Sequence, residues 1–473
     1  MMAAPNAPTR AAVAPALWQQ LHAVALVLVA VRAGQSWSTA QFLVENQLRP
    51  GVQALVFAVW RHWGTAQTLR GMLAARAPAP AADALLCTAL ALLLAGAQDE
   101  DAPQYDPHTL VNQTVQAAKN QRNTRAQASF INACLRRFLR ERDALIAKAV
   151  QHSIARYNHP DWWVSRLQKD HPDQWEAVLA ANDTPAPLTL RINTTKLPLD
   201  QYTNALTAIN LIAKSVGDYA IELSASTHVP SLPGYAQGWF AVQDAAAQQA
   251  APLLLQPFVT PVEGGALPAN VQTPLRVLDA CAAPGGKTAH LLEFAQLHQL
   301  PIEVIALDVD AQRCERIAQN LARLGQHAQI VTADAADTRL WWDGQQMDAI
   351  LLDAPCTASG IVRRHPDIRW LRRETDVAQL AGEQKRLLQA LWPLLKPGGF
   401  LLYCTCSVFH EEGHNQIQTF VARNTDALNI PTLGHLIPQK HSKNNDLPHN
   451  RLGAHDGFFY ALLQKTPGLA PLG

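Results

Sequence analysis

Three cysteines stand where covalent chemistry is possible. Cys356 closes Asp353-Ala-Pro-Cys, and Cys404 and Cys406 lie in Tyr403-Cys-Thr-Cys-Ser407. Each group follows an apolar run that reads as a buried strand. A thiolate is a strong nucleophile once a nearby positive group or a helix N-terminus lowers its pKa. A lone cysteine is usually inert core, but two of them just beyond two strands, aimed at one crevice, are not expected to be. Zinc is the competing use. Cys404 and Cys406 share one side of an extended strand, yet their spacing with Cys356 matches no common zinc motif, and no metal is expected.

The crevice is set by Val277-Leu-Asp-Ala-Cys-Ala-Ala-Pro-Gly-Gly-Lys-Thr288, where a strand turns into a helix read from Thr288 to Leu297. Gly285 and Gly286 let backbone approach a ligand, and the free N–H groups of the next helix suit polar or anionic ligand parts. This is neither the dinucleotide G-x-G-x-x-G pattern nor the P-loop. Asp308, about 20 residues on, stands where a carboxylate accepts hydrogen bonds from ribose hydroxyls; a helix cap is the alternative. Asp334 could accept from an adenine amino group or cap a turn. Lys287 could lower a thiol pKa or steady the loop.

These residues need a scaffold that brings strand ends together. From Gln243 onward strands and helices alternate, with strands at Arg276–Asp279, Glu303–Asp308, Ala328–Thr332, Ala349–Asp353, Phe400–Thr405 and Phe458–Leu463, and helices at Ala311–Leu324 and Val377–Leu395. Alternation of this kind implies a mostly parallel, doubly wound α/β sheet, with ligands at the carboxyl ends of its strands.

The 473 residues exceed one typical domain. Residues 1–16 read as a disordered Ala/Pro-rich lead-in. Residues 17–157 carry helical periodicity throughout and form an all-α domain of five to seven helices. Residues 158–242 read as a small α+β linker domain: one helix over Asp161–Ala181, a strand at Leu188–Ile192, a helix over Leu199–Ile212, and strands at Ala220–Leu223 and Trp239–Val242. Residues 243–466 are the α/β domain. Val259–Gln272 and His441–Arg451 read as exposed loops.

A net charge of +1 carries no global nucleic-acid signature. Locally, Lys119, Arg122, Arg125, Arg136, Arg137, Arg140 and Arg142 stand against Glu141 alone. They form either an RNA-contacting face or an ordinary solvated one. Arg363, Arg364, His365, Arg369, Arg372 and Arg373 follow Cys356 closely and read as a grip on a substrate backbone. Arg191, on the strand Leu188–Ile192, could read nucleic acid or hold structure. The apolar runs Ala23–Val31 and Ala84–Ala97 are short of the ~20 residues a membrane span needs and read as core helices. Seven scattered cysteines without Cys-x-x-Cys pairs suit a reducing compartment, so a cytoplasmic protein is expected.

The chain resembles the RNA 5-methylcytosine methyltransferases (the Nol–Nop–Sun family), in particular members whose N-terminal domain is similar to the antitermination factor NusB. The resemblance is carried by Ile131-Asn-Ala-Cys-Leu-Arg136, Leu190-Arg-Ile-Asn193, Val242-Gln-Asp244, Ala282-Ala-Pro-Gly-Gly-Lys287, Asp353-Ala-Pro-Cys356, Arg363-Arg-His-Pro-Asp-Ile-Arg-Trp370, Thr405-Cys-Ser407 and Asp456-Gly-Phe-Phe459. It implies a Rossmann-like methyltransferase domain using S-adenosylmethionine. Cys281, Ala282, Ala283, Pro284, Gly285, Gly286 and Lys287 would wrap the methionine and ribose portions, Asp308 the ribose hydroxyls and Asp334 the adenine side, with Asp353 touching cofactor and target base. It further implies Cys406 as nucleophile and Cys356 as the residue that releases product, an order the residues themselves leave open. The implied substrate is unassembled or early-assembly 16S rRNA, at cytosine 967 of the usual numbering, with tRNA methylation or a non-catalytic assembly role as alternatives. A monomer with no membrane partner is expected. Cys404 departs from the family pattern, where a small residue is usual.

Overall fold

The computed structural model describes residues 15–98, 103–224, 227–260, 273–438 and 452–467. The loop read at 259–272, beyond residue 260, lies outside the described residues, as do His441–Arg451 and residues 1–14 of the lead-in. The chain divides into two compact units, Met1–Asp161 with His365–Leu371, and Trp162–Arg364 with Arg372–Gly473.

The first unit is helical: α1 (Leu17–Arg32), α2 (Trp37–Ala40), α3 (Arg49–Arg61), α4 (Trp63–Leu73), α5 (Pro80–Gln98), α6 (Pro107–Asn120), α7 (Ala128–Ala149) and α8 (Ser153–Tyr157). Every residue of α5 from Ala84 to Ala95 is buried, which is why this helix shows an apolar run rather than an amphipathic stripe. No described helix is long and apolar enough to cross a membrane. At the head of α5 the buried Asp83 carboxylate takes Arg32 at 2.7 Å and Arg70 at 2.9 Å, so its charge is paired. The segment His365–Leu371 belongs here too. Asp367 Oδ2 accepts from the Trp37 N–H at 2.8 Å, and Arg369 donates to the Asn158 carbonyl at 3.2 Å.

The second unit opens on α9 (Asp161–Asp170) and α10 (Trp175–Asn182). The sequence reading made these one helix. They are two because Pro172 removes a backbone donor and biases His171 away from helical angles. A four-stranded antiparallel sheet follows, in the order β2–β3–β1–β4. Its strands are β1 (Leu188–Ile192), β2 (Ala213–Val216), β3 (Ala220–Leu223) and β4 (Phe240–Val242), with α11 (Leu199–Thr207) packed on it. The helix ends at Thr207 rather than Ile212. Asn210 then turns the chain with φ 59°, and β2 begins.

The larger sheet has the order β10–β11–β9–β8–β5–β6–β7. Its elements in chain order are α12 (Ala250–Val259), β5 (Leu275–Ala280), α13 (Gly286–Leu297), β6 (Ile302–Asp308), α14 (Ala311–Leu324), β7 (Gln329–Thr332), β8 (Met347–Asp353), α15 (Ile368–Leu371, in the first unit), α16 (Glu374–Leu391), β9 (Leu395–Thr405), α17 (His414–Arg423), β10 (Ala427–Leu436) and β11 (Phe458–Lys465). Strands β5 to β9 run parallel, and β10 and β11 are antiparallel. The central strands are buried on both faces, hence their nearly unbroken apolar runs. Connections run from β5 out to β6 and β7, then return to β8 on the other side of β5. The carboxyl ends of β5 and β8 therefore flank the switch point, where open α/β sheets take ligands.

Candidate active site

At the end of β5, Asp279 is fully buried. Its Oδ2 accepts from the Thr288 hydroxyl at 2.6 Å, and its Oδ1 has no hydrogen-bond partner among the described residues. Burial pushes its carboxyl up to about 7. The loop Cys281–Lys287 then winds tightly. Cys281 takes φ 63°, the Ala282 N–H donates to the Leu307 carbonyl at 2.9 Å, and the Ala283–Pro284 peptide is cis. The Pro284 carbonyl accepts from Asn320 at 2.7 Å. Gly285 sits at φ 92°, where a Cβ would lie 3.1 Å from Ile317 Cγ2, so only glycine fits comfortably. Gly286 opens α13, whose first turn has no side-chain cap. The helix starts two residues before the predicted Thr288.

Asp308 closes β6. Its buried carboxylate accepts from the N–H groups of Ala283 and Asp310, both at 3.2 Å, with Arg313 3.5 Å away. The cap of α14 is Asp310, not Asp308, which removes the competing helix-cap reading of Asp308. Asp334, beyond β7, accepts from the Ala336 N–H at 2.9 Å and pairs with Arg386 at 3.0 Å. It is half-exposed and makes both the turn contact and a surface ion pair.

The thiols come together. Cys356 and Cys406 lie at the ends of neighbouring strands β8 and β9, with their Sγ atoms 3.5 Å apart. Their hydrogen bond, burial, and the charges of Cys406 and Glu412 push the Cys356 thiol well above its usual range. Cys356 is therefore the thiol that keeps its proton. Lys287 Nζ sits 2.6 Å from Asp353 Oδ2. Burial opposes its charge, but Asp353 and the Cys404 and Cys406 sulfurs hold the ammonium above its ordinary range. Cys404 is fully buried, and burial and Asp353, whose Oδ1 it approaches at 3.6 Å, raise its thiol. It belongs to the apolar cluster on one face of the sheet. Among the described residues no cluster of His, Cys, Asp or Glu has the geometry of a metal site.

Several cations read as an RNA grip are placed otherwise. Arg363 is 1% exposed and binds Asp456 at 2.6 Å and the Ala454 carbonyl at 3.2 Å. Arg364 bridges Asp456 and Asp244, the latter at 2.8 Å, and donates to the Pro187 carbonyl. Arg369 is fully buried. Arg191 is 1% exposed, with both arms of its fork 3.0 Å from Glu293, one of its nitrogens 2.7 Å from the Gly286 carbonyl, and Gln243 as a further partner. Arg191 and Arg363 are desolvated against carboxylates, and burial leaves Arg191, Arg363 and Arg369 no surface for a phosphate. Arg191 instead pins the first turn of the cofactor-loop helix. Arg372 donates to the carbonyls of Thr357 and Cys356 at 3.0 and 3.3 Å. His365 is exposed, and so is Arg136, which donates to Asn132 at 3.1 Å.

The sequence reading missed Glu412. It is fully buried and accepts from the Thr357 N–H at 2.8 Å, the Thr357 and Ser407 hydroxyls at 2.5 and 2.6 Å, and Gln384 at 3.3 Å. Thr357 follows Cys356 and Ser407 follows Cys406. A glutamate six residues past a reactive cysteine, in His-Glu-Glu-Gly, has no sequence signature.

The family model for 16S rRNA methyltransferase RsmB/F matches residues 267–464, one for an RsmF/B-like ferredoxin-like domain matches 159–230, and one for the NusB family matches 23–140. A Vibrio cholerae protein named ribosomal RNA small subunit methyltransferase B is 36% identical over 462 residues, covering 96% of this chain and 97% of its own. The chain belongs to this methyltransferase family. A Vibrio vulnificus relative of the same name is 39% identical over 376 residues, 79% of this chain and 82% of its own. Among solved structures, the crystal structure of PH0851 superposes with a TM-score of 0.69 at 21% identity, over 94% of this chain and 99% of that one, which shows the shared fold. A methyltransferase homologue from Pyrococcus horikoshii gives 0.51 at 26% identity, over 66% of this chain and 97% of that one. The chain is accordingly an S-adenosylmethionine-dependent rRNA methyltransferase. The residues present fit that cofactor. The crevice offers the unpartnered buried Asp279 oxygen, the free N–H groups opening α13, the Asp308 carboxylate and a loop that tolerates no side chain at Gly285.

Proposed function

We propose that the protein methylates C5 of one cytosine in 16S rRNA through a covalent cysteine adduct, at cytosine 967 of the usual numbering, with the RNA unassembled or at an early assembly stage. The observation that carries the reading is the 3.5 Å approach of Cys356 and Cys406 beside the Lys287–Asp353 pair. C5 of cytosine is a poor nucleophile. The Cys406 thiolate adds to C6, which makes C5 enamine-like and able to take a methyl group. S-adenosylmethionine supplies that methyl group from an electrophilic sulfonium. Asp353 accepts from the 4-amino group on the N3 edge of the base, and the Lys287 ammonium it holds offsets the negative charge that develops on addition. A base then removes the C5 proton, the C6–S bond breaks, and the electron pair returns to Cys406. Cys356, which holds its proton, assists this release.

Cys281 to Lys287, Asp308 and Asp334 would hold the cofactor, and the target cytosine would be swung out of its helix to reach the thiols. Arg136, with the exposed Arg122, Arg125 and Arg140, supports a backbone contact on the first unit. The protein is taken to act as a cytoplasmic monomer. The test is incubation of labelled S-adenosylmethionine with unmethylated 16S rRNA, followed by nucleoside analysis. Label in 5-methylcytidine at a single position supports the reading; label in any other nucleoside overturns it.

A further inference from the structure

The two reactive turns leave different strands, and the paired register of β8 and β9 ends at Asp353 and Cys404. Beyond that point the thiol spacing depends on what ties Asp353–Gly360 to Thr405–Val408. Backbone ties exist: the Gly360 N–H donates to the Cys406 carbonyl and the Ala354 N–H to the Cys404 carbonyl, both at 2.9 Å. Several side-chain ties converge on Glu412. Glu412 receives two donors from Thr357 and one from Ser407, the residues immediately after the two cysteines, with Gln384 as a fourth. The Ser407 hydroxyl also meets Ser359 at 2.9 Å, and the Ser359 oxygen accepts from the Val408 N–H at 3.0 Å. Two N–H donors on one oxygen and two hydroxyls on the other suit an ionised carboxylate.

We propose that Glu412 is a positioning residue for methyl transfer: its carboxylate locks the Cys356 and Cys406 turns into one frame. The inference rests on the roles assigned above to the two cysteines. Burial pushes the Glu412 carboxyl up and its donors oppose that; the resulting charge in turn raises the Cys356 thiol. The other groups facing Cys356 are Cys406 and Tyr403 from β9 and Arg372 ahead of α16. A shift of half an ångström between the sulfurs would separate the nucleophile from the group that assists its departure.

The test compares wild type with Glu412→Gln, which keeps the size but removes the charge and replaces one acceptor oxygen by an NH2 donor, and Glu412→Ala. Glu412→Gln is expected to fold and to bind S-adenosylmethionine and rRNA with unchanged KM, while kcat falls about 100-fold. Alkylation by iodoacetamide, followed by peptide mapping, should show the Cys356 midpoint moved to lower pH, since the charge that kept it protonated is gone. A purely structural residue would leave that midpoint in place. The inference is overturned if Glu412→Gln keeps kcat within about twofold of wild type, or if its loss is all in KM and the alkylation profile does not move. Failure of the cysteine roles is separately visible, as Cys406→Ala retaining methyl transfer.

Discussion

Lys287 Nζ and Asp353 Oδ2 lie 2.6 Å apart, joining the first turn of α13 to the end of β8. The cofactor loop and the base-facing carboxylate are thus one electrostatic unit, and they should fail together. Asp353→Asn is expected to lower kcat by about 100- to 1,000-fold while the S-adenosylmethionine Kd changes by less than about tenfold. Lys287→Met should act in the same direction, and the double variant should be no worse than the weaker single one. Single-turnover kinetics with calorimetric cofactor binding would check this; fully additive losses would show that the two groups act independently.

Arg363 is a structural residue. Arg363→Ala leaves Asp456 and Asp244 buried with one partner fewer and is expected to cost about 3–5 kcal/mol in urea unfolding. Arg136→Ala, at an exposed position, should leave stability within about 0.5 kcal/mol. It should instead lower the slope of log affinity against log salt by about one for rRNA binding. The two variants therefore separate stability from RNA contact.

Asp279 ties stability to pH. Its folded pKa of about 7 lies above the ordinary 3.8. The group favours the folded state fully below the unfolded value, and that contribution is lost as pH rises from about 4 to 7. Asp279→Asn removes the burden of an ionised buried oxygen. It should raise the unfolding temperature at pH 8, by the equivalent of a few kcal/mol, and by much less at pH 5, while weakening cofactor binding. Thermal scans at both pH values, without cofactor, test the sign.

Gly285 is held at φ 92° with Ile317 close behind it. Gly285→Ala should cost about 1–3 kcal/mol of stability, from left-handed strain and contact with α14. It should also weaken S-adenosylmethionine binding more than Gly286→Ala, since a Cβ at Gly286 meets only Gln243 at 4.0 Å. Paired binding isotherms would measure the difference.

The large sheet was legible because each parallel strand is an apolar run ending in Asp279, Asp308, Thr332, Asp353 or Thr405, and strand-end polarity survives any register error. Strand β10 was not, since its burial pattern is irregular and Gly434 interrupts its register with β11. The helix break at Pro172 was readable and went unread, masked by the apolar periodicity on either side. The cation cluster misled for a different reason. Charge near an active turn says nothing about its partners, and Arg363 meets Asp456 93 residues away, Arg191 meets Glu293 102 away. Glu412 escaped for the same cause: its role exists only once β8 and β9 lie side by side.

The most direct test is denaturing electrophoresis and peptide mapping of protein–RNA adducts formed by wild type, Cys356→Ala and Cys406→Ala with S-adenosylmethionine and unmethylated 16S rRNA. Cys356→Ala should accumulate a covalent adduct mapped to Cys406, with Cys406→Ala forming none and transferring no methyl group. An adduct that builds up in Cys406→Ala, mapped to Cys356, would contradict the account.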